Sequence, residues 1–239
     1  MNLSETCETR CYDSRAIEPL LNLVAGQKPG RALDCGCGSG DNARVLSLLG
    51  WQVDGVTLSP AEQSSAQRYC RRVLVANLEQ GLPDELSEKY DLVVMSHVLE
   101  HLVGSSKLLR LAARILAPNA VLAVALPNVA HFKQRLKFLF GNFNYETQGI
   151  MDSTHVRFYT FQTGRDLLER NGYRVIAARG DGNVPQPGIR RILPRRLTDK
   201  VDSLGCRSLP GVFSWQLLYL AQVDGAQLPT PGSVSSNIR

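Results

Sequence analysis

A run of alternating glycines at residues 32–40 constrains the fold of this chain more than any other feature. It has the sequence ALDCGCGSG, in which Asp34 ends an apolar stretch and precedes Gly36, Gly38 and Gly40. Glycine has no Cβ and adopts positive φ without strain, so such a turn lets the backbone approach a ligand closely. A helix that begins after the turn directs its free N–H groups toward that ligand. The run therefore predicts a strand, a ligand-binding turn and a helix.

The spacing of the glycines narrows the kind of ligand. No Gly-Lys-Ser or Gly-Lys-Thr ending follows the turn, which argues against a P-loop. The order Asp-x-Gly-x-Gly-x-Gly differs from Gly-x-Gly-x-x-Gly, which argues against a dinucleotide fingerprint. Because several classes of ligand are bound by glycine-rich turns, the rest of the chain has to identify the ligand.

Apolar strand segments alternate with helical segments along the chain. Strands are predicted over 31–34, 51–58, 73–76, 90–95, 121–126, 172–178 and 215–223. Helices are predicted over 14–25, 42–49, 60–71, 105–116 and 163–170. The alternation favours an α/β fold with a doubly wound, Rossmann-like parallel sheet covered by helices on both faces. Ligands of such sheets bind beyond the carboxyl ends of the strands.

Composition predicts one domain over residues 1–225 with several additions to its core. The core is predicted over 29–126, an aromatic and basic lid over 128–160, and a basic connection with four prolines over 180–212. Residues 226–239 are rich in Pro, Ser and Gly and are predicted to be a disordered tail.

Bulk composition indicates a soluble protein of 239 residues, with 44% apolar and 21% charged residues. No apolar run approaches the roughly 20 residues that cross a membrane, so no span is expected. Residues 1–10 are polar and acidic, unlike a signal peptide. Two of the six cysteines lie in the glycine turn, which a disulfide would distort. All six are expected to be reduced thiols in a cytoplasmic protein.

Several motifs resemble, in order and spacing, those of the class I S-adenosylmethionine-dependent methyltransferases. They lie at 33–38, 55–60, 77–78, 96–102, 126–131 and 152–160, and the resemblance covers residues 29–178. The similar enzymes include the ubiquinone-biosynthesis O-methyltransferases and polysaccharide-associated small-molecule methyltransferases. The resemblance implies a seven-stranded sheet, a lid inserted after the fifth strand, and S-adenosylmethionine as cofactor. It implies cofactor contacts at Asp34, Gly36, Cys37, Gly38, Thr57, Leu58, Asn77, Leu78, Ser96 and His97.

Two of these positions depart from the usual family pattern. The second strand usually ends in a carboxylate that accepts both ribose hydroxyls, and Thr57 stands there; Asn77 replaces an aspartate near the adenine. A hydrogen bond to a charged partner contributes roughly 1.5–3 kcal/mol and one to a neutral partner about 1 kcal/mol. Loss of the carboxylates could therefore weaken binding of the cofactor about tenfold. Asp54 or Glu62 could compensate.

Methyl transfer to a hydroxyl requires a base, and histidine is the usual choice. The chain has four histidines, of which His155, His131 and His101 are candidate catalytic residues. His101 faces the acceptor or supports its loop, and His155 acts as base or holds the lid. Asp152 lies three residues before His155 and could orient its ring.

Further lid residues are predicted to contact the acceptor. Arg157 clamps an anionic group or pairs with Asp152, and Tyr159 belongs to the same predicted acceptor-binding segment. Three phenylalanines of the lid either form its core or line the acceptor site: Phe138, Phe140 and Phe143.

No metal is expected, although residues 97–101 spell His-x-x-Glu-His, an inverted zincin motif. That run follows a parallel strand directly, whereas a zincin carries the motif within a helix. The enzyme is therefore expected to be metal-independent.

The sequence favours methylation of a small-molecule or sugar hydroxyl in glycan or secondary-metabolite biosynthesis. An N-methyltransferase, a phenol or quinone O-methyltransferase, and a non-catalytic binding subunit are the alternatives. Net charge is +5, and five basic residues cluster at Arg190, Arg191, Arg195, Arg196 and Lys200. The cluster is a solvated loop, a surface that attracts an anionic acceptor, or a nucleic-acid site. No aromatic residues interleave with it, so nucleic acid is the least favoured partner.

Overall fold

The computed structural model describes residues 16–185 and 194–225, in which seven strands form one sheet. The predicted tail and Arg190 and Arg191 lie outside these residues. The strands are β1 (Arg31–Cys35), β2 (Gln52–Thr57), β3 (Arg72–Val75), β4 (Tyr90–Ser96), β5 (Leu116–Pro127), β6 (Tyr173–Gly182) and β7 (Ser214–Val223). Their order across the sheet is β3-β2-β1-β4-β5-β7-β6.

Helices cover the two faces of this sheet. They are α1 (Glu18–Val24), α2 (Asp41–Leu48), α3 (Pro60–Ala66), α4 (Ser105–Ile115), α5 (Phe132–Leu139), α6 (Phe161–Arg170), α7 (Arg195–Ser208) and α8 (Pro210–Phe213). A 3₁₀ turn at Leu99–His101 follows β4. Neighbours among β1 to β5 pair in parallel, while β7 is antiparallel to both β5 and β6. The predicted α/β fold is confirmed, with a mixed sheet.

The central strands are apolar on both faces because helices cover both. On β4, Leu92 and Val94 pack into one hydrophobic cluster, and Val93 and Met95 pack into the other. All four side chains are fully buried. This burial accounts for the continuous apolar run of β4.

The glycine turn has the backbone conformation that its sequence predicts. Gly36, Gly38 and Gly40 have φ of 75°, 52° and 92°. A Cβ added at Gly36 would lie 2.5 Å from Cγ2 of Val98, so a larger residue cannot occupy that position without rearrangement. The turn is anchored to β2, because the N–H groups of Gly36 and Cys37 both donate to the carbonyl of Val56.

Two predicted segments differ from the structure. The helix expected over 60–71 ends at Ala66. Arg71, directly before β3, already donates its N–H to the carbonyl of Val53 on β2, so the chain has left the helix by this residue. Most described residues of the connection expected over 180–212 belong to regular elements: β6 runs to Gly182, and α7 and α8 follow. Two of its prolines stand where helices begin, Pro194 as the N-cap of α7 and Pro210 as the first residue of α8.

Within the described residues, no helix has both the length and the apolar character needed to cross a bilayer. Four cysteines lie in the described part of the chain, and each is a buried free thiol: Cys35, Cys37, Cys70 and Cys206. Cys7 and Cys11 fall outside the described residues, and the reduced state of all six cysteines stays a prediction.

Candidate active site

A cavity of about 600 Å³ opens at the carboxyl ends of the strands. The glycine turn and the ends of β2, β3 and β4 form one end of the cavity. Another part of the lining, called the lid end here, comes from the 3₁₀ turn and five residues of the lid: Gln148, Gly149, Ile150, Asp152 and His155. Pro127 and Gln216 also line the cavity. Nine of the ten predicted cofactor residues line this cavity: Gly36, Cys37, Gly38, Thr57, Leu58, Asn77, Leu78, Ser96 and His97.

The tenth residue, Asp34, does not belong to the lining. Its side chain is fully buried within β1, and neither carboxylate oxygen has a hydrogen-bond partner among the described residues. Burial raises the pKa of Asp34 from 3.8 to about 7. The prediction of direct contact with the cofactor is therefore not supported, because the side chain of Asp34 is buried in the core of the sheet.

A carboxylate stands beside Thr57 after all, supplied by the following helix. The hydroxyl of Thr57 donates to Oε2 of Glu62 at 2.7 Å, and both residues line the cavity. Asp54 is different: its buried carboxylate accepts hydrogen bonds from Arg71, Arg72 and Tyr90 on the far side of β2. Of the two compensating residues considered from sequence, only Glu62 is in place.

The adenine end of the expected site is built from β3 and the residues after it. Asn77 and Leu78 line the cavity directly after β3. The side-chain oxygen of Asn77 accepts the N–H of Glu79 at 2.9 Å, which leaves the amide nitrogen as the side-chain group with which Asn77 can bind a ligand. The bare turn at Gly36 and Gly38, the Thr57–Glu62 acceptor pair and this amide donor fit an adenosine group.

His97 follows β4 in a left-handed conformation, with φ of 54°. Its Nδ1 lies 3.0 Å from Oε1 of Glu100, and its Nε2 lies 3.1 Å from Oε1 of Gln216. Both partner atoms are acceptors, so both ring nitrogens donate. Burial would lower the pKa of His97, yet the hydrogen bond to Glu100 and the charge of that carboxylate raise it overall. The ring is therefore the cation of an ion pair.

His101 faces the lid. Its Nδ1 lies 3.1 Å from the hydroxyl of Thr154, and that hydroxyl donates its one proton to Oδ1 of Asp152 at 2.7 Å. Nδ1 of His101 is therefore the donor, and its Nε2 carries a lone pair. Burial lowers the pKa of His101, which favours a neutral ring.

His155 brings a second imidazole to the same place from the lid. Its Nδ1 donates to the carbonyl of Ile150 at 3.1 Å, and its ring centroid lies 4.8 Å from that of His101. The expectation that Asp152 orients this ring is wrong, because Asp152 accepts from Thr154 instead. The structure brings His101, His155 and Asp152 together at the lid end of the cavity.

Three other predicted site residues are not among the described residues that line the cavity. His131 is a buried N-cap residue of α5 that packs on Phe132. Arg157 neither clamps a ligand nor pairs with Asp152, because its guanidinium donates to the carbonyls of Leu102 and Val103. Tyr159 is buried, and its backbone bridges to Asn128.

The aromatic and basic segments also lie away from the cavity. Phe140 and Phe143 are 71% and 53% exposed, so they form neither a lid core nor a wall of the acceptor site. Phe143 stacks on Phe138 outside the cavity. Arg195, Arg196 and Lys200 are exposed on α7.

Sequence reasoning missed Glu100. Its side chain is fully buried on the 3₁₀ turn, and its Oε2 has no hydrogen-bond partner among the described residues. Burial would raise the pKa of Glu100, but the hydrogen bond and charge of His97 lower it overall, so the group is a carboxylate. The sequence signal for Glu100 is the His-x-x-Glu-His run at 97–101, which is interpreted above only as a zincin motif that the fold argues against.

Comparison with known proteins identifies the family. A methyltransferase-domain family model matches residues 10–178, which is more than half of the chain. The ubiquinone biosynthesis O-methyltransferase of Azorhizobium caulinodans is 31% identical over 121 residues, covering 49% of this chain and 45% of the relative. The norajmaline N-methyltransferase of Rauvolfia serpentina is 32% identical, covering 46% of this chain and 41% of the relative. The chain thus spans less than half the length of these relatives.

Solved structures agree on the fold. A methyltransferase from Archaeoglobus fulgidus superimposes with a TM-score of 0.57 at 17% identity, covering 86% of this chain and 90% of the other. The magnesium protoporphyrin IX methyltransferase of Synechocystis, solved with S-adenosylhomocysteine, has a TM-score of 0.53 at 19% identity, covering 87% and 80%. The glycine turn, the sheet order, the cavity and the matched family model together show that this chain belongs to the class I S-adenosylmethionine-dependent methyltransferases.

Proposed function

We propose that this enzyme methylates a hydroxyl group of an uncharged small molecule or sugar, bound at the lid end of the cavity. One observation carries the proposal. His101 and His155 share a cavity with the cofactor-binding residues and present their Nε2 lone pairs where an acceptor has to sit.

S-adenosylmethionine supplies a methyl carbon on a positively charged sulfur, which an in-line nucleophile displaces. The residues of this chain bind and align the two reactants. With the cofactor bound, Thr57 and Glu62 would accept hydrogen bonds from its ribose hydroxyls, and Asn77 would donate to its adenine. The acceptor hydroxyl would lie at the His101 and His155 end. Its proton would pass to the Nε2 lone pair of one of these two histidines as its oxygen takes the methyl group.

The charge of the lining favours a neutral acceptor over the anionic one considered from sequence. The described lining residues include neither Lys nor Arg, and they include four carboxylates: Asp41, Glu62, Glu100 and Asp152. A phosphate or carboxylate on the acceptor would be repelled there. Oxygen is favoured as the methylated atom because the relatives include O-methyltransferases. Nitrogen remains the second candidate, since a relative is an N-methyltransferase.

We also propose that the enzyme is cytoplasmic and that residues 1–225 form a single domain. The buried free thiols of the four described cysteines support a reducing compartment. The structure's single sheet supports treating the described residues as one unit.

Two measurements test the proposal. Calorimetric titration with S-adenosylhomocysteine is expected to show micromolar binding, and transfer of a labelled methyl group is then measured on neutral glycosides, nucleotide sugars, catechols and amines. His155→Gln is expected to lose transfer while it keeps the affinity for S-adenosylhomocysteine. Transfer to amines only would contradict the oxygen acceptor. Absence of binding at millimolar concentration would support a non-catalytic subunit.

A further inference from the structure

Three side chains with metal-binding atoms meet at the lid end of the cavity. Glu100 and His101 come from the 3₁₀ turn after β4, and His155 comes from the lid. Their nearest ligand atoms all lie within 4.8 Å of one another. Two imidazoles and one carboxylate from separate segments are a common ligand set for divalent transition metals.

The hydrogen bonds around the two rings leave the same nitrogen available on each. Nδ1 of His101 donates to Thr154, and Nδ1 of His155 donates to the carbonyl of Ile150. In each ring Nε2 is therefore the bare nitrogen. Outer partners of this kind fix the tautomer and orientation of metal-binding histidines, and Asp152 extends the network behind Thr154.

Glu100 supplies the observation that points to a cation. Its Oε1 accepts from His97, whereas its Oε2 is buried with no hydrogen-bond partner among the described residues. A buried, unpaired carboxylate oxygen is costly, and a bound cation would satisfy it. His97 cannot be a further ligand, because both of its ring nitrogens already face Glu100 and Gln216.

We propose that Glu100, His101 and His155 hold one divalent transition-metal ion, such as Mn²⁺, Fe²⁺, Co²⁺ or Zn²⁺. With three protein ligands, the ion keeps open positions toward the cavity. This reverses the metal-independent enzyme expected from the sequence. The ion also joins the lid to the sheet, since His155 belongs to one and the 3₁₀ turn to the other.

The role of the ion, unlike its binding, rests on the proposed function. An acceptor hydroxyl bound at an open position loses its proton to water at a lower pH than in solution. The resulting oxygen attacks the methyl carbon, and sulfur leaves with the electron pair. The two histidines are then ligands rather than bases.

Cobalt titration tests the site without any assay of activity. The full chain is treated with EDTA, freed of it, and titrated with Co²⁺ while visible absorption and calorimetric heat are recorded. One ion per chain is expected. His155→Gln should weaken cobalt binding more than about tenfold. Removing a group that only hydrogen-bonds to a metal ligand already costs about tenfold or more, and His155 is itself a ligand. His131→Gln, a matched change outside the cavity, should leave cobalt binding unchanged.

Glu100 is fully buried, so Glu100→Gln is informative only if its circular dichroism spectrum shows that it folds like the parent chain. A folded Glu100→Gln variant should also bind cobalt more weakly. Absence of binding by the parent chain at millimolar Co²⁺ would overturn the proposal. Binding that His155→Gln leaves intact, with the near-ultraviolet bands of thiolate ligands, would also overturn it. Methyl transfer that persists in EDTA would refute the role of the ion but leave the proposed function standing. Cobalt binding without methyl transfer to any hydroxyl would refute the proposed function, and with it the role of the ion, but leave the metal site standing.

Discussion

Glu62, on α3, supplies the carboxylate that is missing at the end of β2. Thr57 stands where the family resemblance leads one to expect an acidic residue, and its hydroxyl donates to Glu62 at 2.7 Å. Glu62→Gln keeps the shape but removes the charge, so hydrogen bonds to the ribose hydroxyls lose about 1–2 kcal/mol. Calorimetry is expected to show roughly tenfold weaker binding of S-adenosylhomocysteine.

The matched control for this change is Glu85→Gln, because Glu85 is an exposed glutamate and is not among the cavity-lining residues. Its affinity should equal that of the parent chain. Equal affinities for both variants would show that Glu62 does not bind the ribose.

Asp34 makes the stability of the fold depend on pH. Burial raises its pKa from 3.8 to about 7, so between these values the folded state holds a proton that the unfolded state releases. Stability therefore falls as pH rises through this window and levels off above it. The loss from pH 5 to pH 8 is expected to be about 2–3 kcal/mol, at 1.36 kcal/mol per pH unit.

Urea unfolding at several pH values checks this expectation, with Asp34→Asn as the comparison. The variant is expected to lose this part of the pH slope, whatever its overall stability. Parallel slopes for the two proteins between pH 5 and 8 would contradict a proton held on Asp34.

Sequence reasoning placed the cofactor residues better than the acceptor residues. Gly36, Thr57 and Asn77 follow strands, and parallel strands bring their carboxyl ends to one edge, so their meeting follows from topology. Arg157 shows the opposite case. Its partners are the carbonyls of Leu102 and Val103, 55 and 54 residues away, and no local sequence pattern predicts such contacts.

The lid is the element whose position matters most for the acceptor, and Arg157 helps to hold it. The N–H groups of Val156 and Arg157 donate to the carbonyl of Glu100, next to the guanidinium contacts. Arg157→Ala removes the guanidinium bonds at an exposed site, at a cost of about 1 kcal/mol. Exchange of amide hydrogens over 146–157 is expected to become about fivefold faster, as measured by mass spectrometry.

Arg165→Ala serves as the control for the lid, since Arg165 pairs with Glu169 on α6. It should leave exchange over 146–157 unchanged. Unaltered protection of the lid in Arg157→Ala would assign its docking to the backbone hydrogen bonds alone.

Among the elements, periodicity predicts the strands and the helices of the core, but it does not predict α7. The four prolines over 180–212 predict a connection, yet Pro194 and Pro210 stand where helices begin and do not interrupt them. The helix is held by tertiary burial of Thr198 and Cys206. Such burial depends on β6 and α8 and leaves only a weak trace in a window of local sequence.

The cavity couples the whole molecule, because its walls come from both halves of one sheet and from the lid. A ligand that binds there stabilises the folded state as a unit, by about 2.7 kcal/mol at 100 times its Kd. For a chain of this size, S-adenosylhomocysteine at that concentration should raise Tm by roughly 5–10 °C in a single transition. At the same concentration Glu62→Gln, with about tenfold weaker binding, should keep about half of the shift. Differential scanning calorimetry distinguishes the outcomes: two transitions, of which only one moves, would divide the chain into independent units, and equal shifts in both proteins would refute the role of Glu62.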